Sequence, residues 1–140
     1  MSTGIDLEQL ATELKADEGF RDRIYTCSAG KLTIGYGFNL EDSRFPERIA
    51  DLLLLDEIGR CLAECERFEW FYPLSGVRKR VILNMVYNLG WTGVNRFKKM
   101  IAAIEDQDWE YAAIEMLDSK WHSDVGARAE RLAQMMREDR

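Results

Sequence analysis

At 140 residues the chain is the size of one domain, long enough to bury roughly two-thirds of its surface without metals or disulfides. Its 46% hydrophobic and 31% charged residues describe an ordinary globule, and its apolar run Leu52–Leu55 falls far short of the roughly 18 residues of a membrane span. The net charge of −6 is uneven, with 8 Lys/Arg against 15 Asp/Glu in residues 1–70 and 11 against 10 in residues 71–140; this excludes a strongly basic nucleic-acid binder.

A thin basic stripe, Arg78-Lys79-Arg80 with Arg96, Lys98 and Lys99, could equally meet an anionic polymer other than nucleic acid. Met1 to Phe20 carries acids throughout and lacks a basic region followed by an apolar block, so neither a secretory signal nor a signal anchor is expected. The expected location is the cytoplasm until something else releases the protein. Three cysteines argue against a disulfide framework. Cys61 and Cys65, four apart on a predicted helix, share one face; two thiols alone make a poor zinc site, so they read as reduced, half-buried helix residues.

In chain order, Asp6-x-x-Gln9 resembles a capping box and opens a helix whose Leu7, Leu10, Ala11 and Leu14 recur at helical spacing. Four residues further the same stripe reaches Glu18, which places this acid on the core-facing side of the last turn, and Gly19 ends the helix. Arg23 to Cys27 and Lys31 to Tyr36 read as short strands around Ser28-Ala29-Gly30. Gly35 and Gly37 thin the second strand where a backbone would approach a ligand closely. Pro46 suits a first helical turn, and Arg48 to about Arg67 reads as a long helix with Leu52–Leu55, Ile58 and Leu62 packed inward. Phe68 to Pro73 is an aromatic-rich break. From Ser75 the pattern is all helical: Val77, Val81, Ile82, Met85, Val86 and Leu89 form one apolar face closed by Gly90. Helices are then expected near Phe97–Glu105, Trp109–Asp118 and Val125–Arg137. The fold class is α+β. A small lobe with a β-hairpin is expected over about 17–55, a bridging helix over about 56–69, and a helical lobe over about 75–140 joined by the N-terminal helix.

Glu18, Cys27 and Thr33 converge on the helix end and the two hairpin arms. A carboxyl at a helix C-terminus on an apolar stripe is pushed towards its neutral form by desolvation and by the helix dipole, which suits a general acid. The plainer alternatives are a surface acid paired with Arg21, a small hydrophobic Cys and an ordinary strand Thr. Arg80, Asn84 and Asn88 recur every four residues with Tyr87 beside them; that stripe would hydrogen-bond a substrate rich in hydroxyls and amides, or would simply be solvated. A Cys27–His122 dyad would suggest a thiol hydrolase, but nothing around His122 supports it. Trp70, Trp91, Trp109 and Trp121 read as packing residues.

The stretch from Asp17-Glu18-Gly19 through Tyr25 to Thr33-Ile34-Gly35-Tyr36-Gly37 resembles the active-site segment of phage-type lysozymes, glycoside hydrolase family 24. Val77-Arg78-Lys79-Arg80, Asn84-Met85-Val86-Tyr87-Asn88-Leu89-Gly90, Thr92-Gly93-Val94, Phe97, Trp109, Ala112-Ala113, Ser119-Lys120-Trp121 and Arg128-Ala129-x-Arg131 resemble that family's C-terminal helical lobe, in the same order. The resemblance implies a lysozyme-like fold and hydrolysis of the β-1,4 bond between N-acetylmuramic acid and N-acetylglucosamine in peptidoglycan. By match, Glu18 is the general acid, Thr33 helps place the attacking water, and Arg128 sits against the acid. Tyr36, Asn84, Tyr87 and Asn88 fall at substrate-binding positions, and such enzymes invert the anomeric centre. No cofactor or metal is implied.

Three departures stand out. Cys27 occupies the place where the best-known members carry Asp, Phe38 stands where His is common, and the stretch between Gly37 and Ser75 is short. The resemblance implies an endolysin dependent on a separate holin-like protein for access to the wall; charge and hydropathy add the expectation of no nucleic-acid partner and no membrane insertion, and nothing asks for more than a monomer. A lytic transglycosylase and a catalytically weak wall-binding module remain the alternatives.

Overall fold

The computed structural model describes residues 4–140. Its internal contacts divide the chain into two units, one ending at Ala50 and one running from Asp51 to Arg140. Among the described residues there are seven α-helices and one three-stranded antiparallel sheet, an α+β fold. No helix among them is long and apolar enough to cross a membrane.

In the first unit, α1 (Leu7–Glu18) starts where Asp6 accepts from the Gln9 N–H at 2.9 Å. It stops at Gly19, whose φ of 70° places it outside the helix while its N–H still reaches Lys15 O at 2.9 Å. Strands β1 (Arg21–Thr26), β2 (Leu32–Gly35) and β3 (Phe38–Asn39) follow. β2 lies centrally, pairing Tyr25↔Thr33 on one side and Thr33↔Asn39 on the other. The third strand was not predicted: two residues are too short for an alternating pattern. Between β1 and β2 the Cys27 N–H bonds Lys31 O and the Gly30 N–H bonds Cys27 O, both at 2.9 Å.

The expected core-facing stripe of α1 is not found. No residue of the helix is buried, Leu7, Leu10 and Leu14 are exposed, and so is Glu18. The first unit buries only Thr33 among its described residues. Some fifty residues forming one helix and a three-stranded ribbon have too little surface to enclose a core of their own.

The helix α2 (Glu47–Cys65) begins in the first unit and continues into the second. Here too the prediction needs correction: Leu52–Leu55, Ile58 and Leu62 are exposed, and the buried residues are Cys61 and Cys65. Four consecutive leucines point in four directions around a helix, whereas residues four apart share a face. Both thiols are free and fully buried rather than half-buried.

A 3-10 turn at Glu69–Phe71 precedes α3 (Gly76–Asn95), which Ser75 caps by accepting from the Arg78 N–H at 3.1 Å. Gly90 breaks the helical backbone as expected, with φ 77° and ψ 167°, but helical turns resume to Asn95. The unit continues through α4 (Lys98–Glu105), α5 (Trp109–Leu117), α6 (Lys120–Val125) and α7 (Ala127–Glu138). α6 had no counterpart in the prediction; six residues with a Ser119 cap are too few to display a period. Val81, Ile82, Met85 and Val86 of α3 form one core with Met100 and Ile104 of α4, Ala112 and Ala113 of α5, and Leu132 and Met136 of α7. Arg78 is buried with that core, its Nε donating to Met136 O at 2.8 Å and its guanidinium lying 3.9 Å from the Trp109 ring centre.

Candidate active site

Within the first unit, Glu18 lies against the backbone of Gly37 in the turn between β2 and β3, while Cys27 and Thr33 interact across the β1–β2 hairpin. A Cβ added to Gly37 would stand 2.6 Å from Glu18 Oε2, so the carboxylate lies directly against the bare glycine backbone. Gly37 holds φ 74°, a conformation that glycine adopts freely. Of the two glycines only Gly37 has a close neighbour, and that neighbour is the chain's own acid; around Gly35 there is open space. Glu18 forms no ion pair with Arg21 among the described residues; the Arg21 guanidinium instead covers the Tyr25 ring at 4.7 Å.

Thr33 is 2% exposed, and its hydroxyl donates to Lys31 O at 2.9 Å. Cys27, partly buried, sits one residue beyond β1 at the mouth of the turn. Its thiol is held below the ordinary value of 9.0, first by the Lys31 backbone N–H, then by that of Ala29 and by the Thr33 hydroxyl, against a smaller opposing effect of burial. That hydroxyl has one proton, so Lys31 O and the Cys27 sulfur are alternative acceptors for it. Burial moves the other two thiols the opposite way, raising Cys61 and pushing Cys65 up to about 12. Tyr36 is exposed, edged by Phe20 at 5.5 Å and by Lys15 Nζ at 5.6 Å from the ring centre.

Within the second unit, Arg128 closes a fork on Asn84: Nε and one terminal nitrogen reach Asn84 Oδ1 at 2.9 and 2.7 Å. These two residues line a pocket of about 370 Å³ with Arg80, Tyr87 and an apolar wall that includes Leu54 and Ile58. Asn88 Oδ1 accepts from Trp121 Nε1 at 2.8 Å, so one end of this exposed amide is already committed. The tryptophans pack as expected: Phe68 stacks on Trp70 at 4.6 Å and on Trp91 at 5.2 Å, and Trp121 is buried. His122 lies on α6, with Nδ1 2.9 Å from Leu117 O and Nε2 3.2 Å from Glu130. Among the described residues no cluster of three or more His, Cys, Asp or Glu could hold a metal.

The family model described as "Phage lysozyme" matches residues 15–138, nearly the whole chain and both halves of this arrangement. The chain belongs to the phage lysozyme family. It is similar to "Probable T4-type lysozyme 2" of Dictyostelium discoideum, at 27% identity over 157 residues spanning 90% of this chain and 92% of that protein. It is also similar to "Probable T4-type lysozyme 1" of the same organism, at 30% identity over 151 residues spanning 85% and 88%. This lysozyme is accordingly a glycoside hydrolase whose family substrate is peptidoglycan. Sequence reasoning missed the backbone donors of Ala29 and Lys31 around Cys27, because backbone groups leave no residue signature. It also missed that Asn84 and Asn88 are held by Arg128 and Trp121, partners 44 and 33 residues away.

Proposed function

We propose that this lysozyme hydrolyses the β-1,4 bond between N-acetylmuramic acid and N-acetylglucosamine by acid-assisted attack of water, inverting the anomeric centre. Glu18 protonates the glycosidic oxygen. The water is placed by Thr33 and Cys27 on the opposite face of the ring. Arg128 orients the acid, while Tyr36, Asn84, Tyr87 and Asn88 bind the sugar chain. The observation that carries the reading is the Glu18 carboxylate lying against Gly37, in the turn that follows the strand holding Thr33, whose other neighbouring turn holds Cys27.

The substitution of Cys for Asp is easier to accept with the β1–β2 hairpin in view. Three donors pull the thiol towards the thiolate, and a thiolate can accept a hydrogen bond from water or stabilise positive charge on the sugar, as a carboxylate would. The biological setting is that of an endolysin, made in a bacterial host's cytoplasm and released to the wall through a separate membrane-permeabilising protein. This part draws on the family resemblance, since the relatives named above belong to an amoeba.

Glu18→Gln should lower lysis of purified walls by at least about a hundredfold, with an unchanged circular dichroism spectrum. Wild-type activity in that variant would overturn the assignment. Mass spectrometry of digested muropeptides separates hydrolysis from transglycosylation: reducing muramic ends are expected, and anhydromuramic ends throughout would refute water as the nucleophile. For the cellular role, expression inside a bacterium should cause lysis only when a pore-forming protein is co-expressed.

A further inference from the structure

A second recess in the helical unit, about 390 Å³ in volume, is used by none of the roles above. It lies among the 3-10 turn, the C-terminal end of α4 and the start of α5, and is lined by Glu69, Trp70, Leu74, Ile104, Glu105 and Trp109, with Pro73 and Gln107 at its edge. Leu74 and Ile104 are buried and give it an apolar floor; Trp70 and Trp109 are half-buried walls. Glu69 and Glu105 are exposed, and neither takes part in an ion pair among the described residues. One face of Trp70 is stacked on Phe68 at 4.6 Å, and one face of Trp109 already carries the Arg78 guanidinium at 3.9 Å. Both indoles, partly buried against the core, also line the recess.

Two unpaired carboxylates beside two indoles over an aliphatic floor make a specific chemical demand. The carboxylates repel anions. A neutral sugar could stack on indole but would leave both charges uncompensated. A cation with an apolar stem satisfies every wall at once: the methylenes cover Leu74 and Ile104, and the charged head meets the π systems and the carboxylates. We propose that this recess binds an alkylammonium group. Such a group is borne either by a lysine-type side chain in a peptide or by a free diamine.

The recess shares no residue with the proposed cleavage site, so binding can be read in Glu18→Gln protein as well as in wild type. In ¹⁵N-labelled full-length protein the four indole Nε1–H signals report separately. Cadaverine and Nα-acetyl-lysine N-methylamide, each at constant ionic strength, should shift the Trp70 and Trp109 signals saturably and leave Trp91 and Trp121 in place. The latter two also report that the fold is intact. The double variant Glu69→Gln/Glu105→Gln should weaken binding about tenfold, the effect expected for losing two exposed charge contacts. Tighter binding of the lysine derivative assigns the site to peptide side chains, and tighter binding of cadaverine assigns it to free diamines. Three results would each overturn the proposal: no saturable shift, an equal shift with the ε-acetylated lysine derivative, or undiminished binding by the double variant.

Discussion

Cys27 is the middle member of the acid, thiol and hydroxyl set, and its surroundings define how readily its thiol ionises. The backbone N–H groups of Lys31 and Ala29 and the Thr33 hydroxyl stabilise the thiolate, so the ionised fraction at neutral pH exceeds that of a free cysteine. In native protein, iodoacetamide should therefore label one thiol quickly at pH 7, while Cys61 and Cys65 stay unreacted until the fold opens. Thr33→Val removes one of the stabilising donors and should shift the labelling-rate profile to higher pH; an unmoved profile would exclude the hydroxyl as a partner. On activity, Cys27→Asp should remain lytic and Cys27→Ala should lose substantially more. If Ala equals wild type, the thiol is a bystander. Of this cluster, the sequence displays Glu18, Cys27 and Thr33 by type and spacing. The donors that tune the thiol are backbone groups of a turn, and they exist only once the turn has closed.

Among the elements, α3 was read correctly because its apolar positions recur every three or four residues and a real core covers them, from Val81 at 0% exposure to Val86 at 1%. α1 and α2 show the limit of the same rule. Periodicity says which residues share a face, but it is silent on whether anything covers that face. Two contacts between elements can be tested directly. Trp121→Phe removes both the donor to Asn88 Oδ1 and part of a buried indole, and should cost about 1–3 kcal/mol in denaturant unfolding with a weaker grip on substrate. His122 is shifted upward, first by the Glu130 carboxylate and then by Leu117 O, so its protonated form is favoured in the folded state. Its stabilising contribution is complete below the ordinary value of 6.5 and is lost as pH rises through the folded value. The Tm gap between wild type and His122→Gln should accordingly be wider at pH 5 than at pH 8.

For the whole molecule, charge sets an expectation that no single residue does. A net charge of −6, concentrated in residues 1–70, opposes approach to an anionic wall. Salt shortens the reach of that repulsion to about 10 Å at 0.1 M. Lysis of walls should therefore hold steady or rise between very low and moderate ionic strength, and a steady fall from the lowest salt upward would contradict this.

Order along the chain was legible without coordinates: Asp6 as a cap, Ser75 as the start of the helical half, Gly19 as a stop, Gly90 as a break, and the acid, thiol and hydroxyl spacing within a pattern that runs through both halves. These are local matters, governed by a few dihedral angles and short-range hydrogen bonds. Only the tertiary structure decided that Glu18 lies against Gly37, that Asn84 is gripped by Arg128, and that Arg78 is buried against Met136 O and Trp109. Such pairings join residues tens of positions apart. They depend on which faces find cover when the helices pack, and no short stretch of sequence records that.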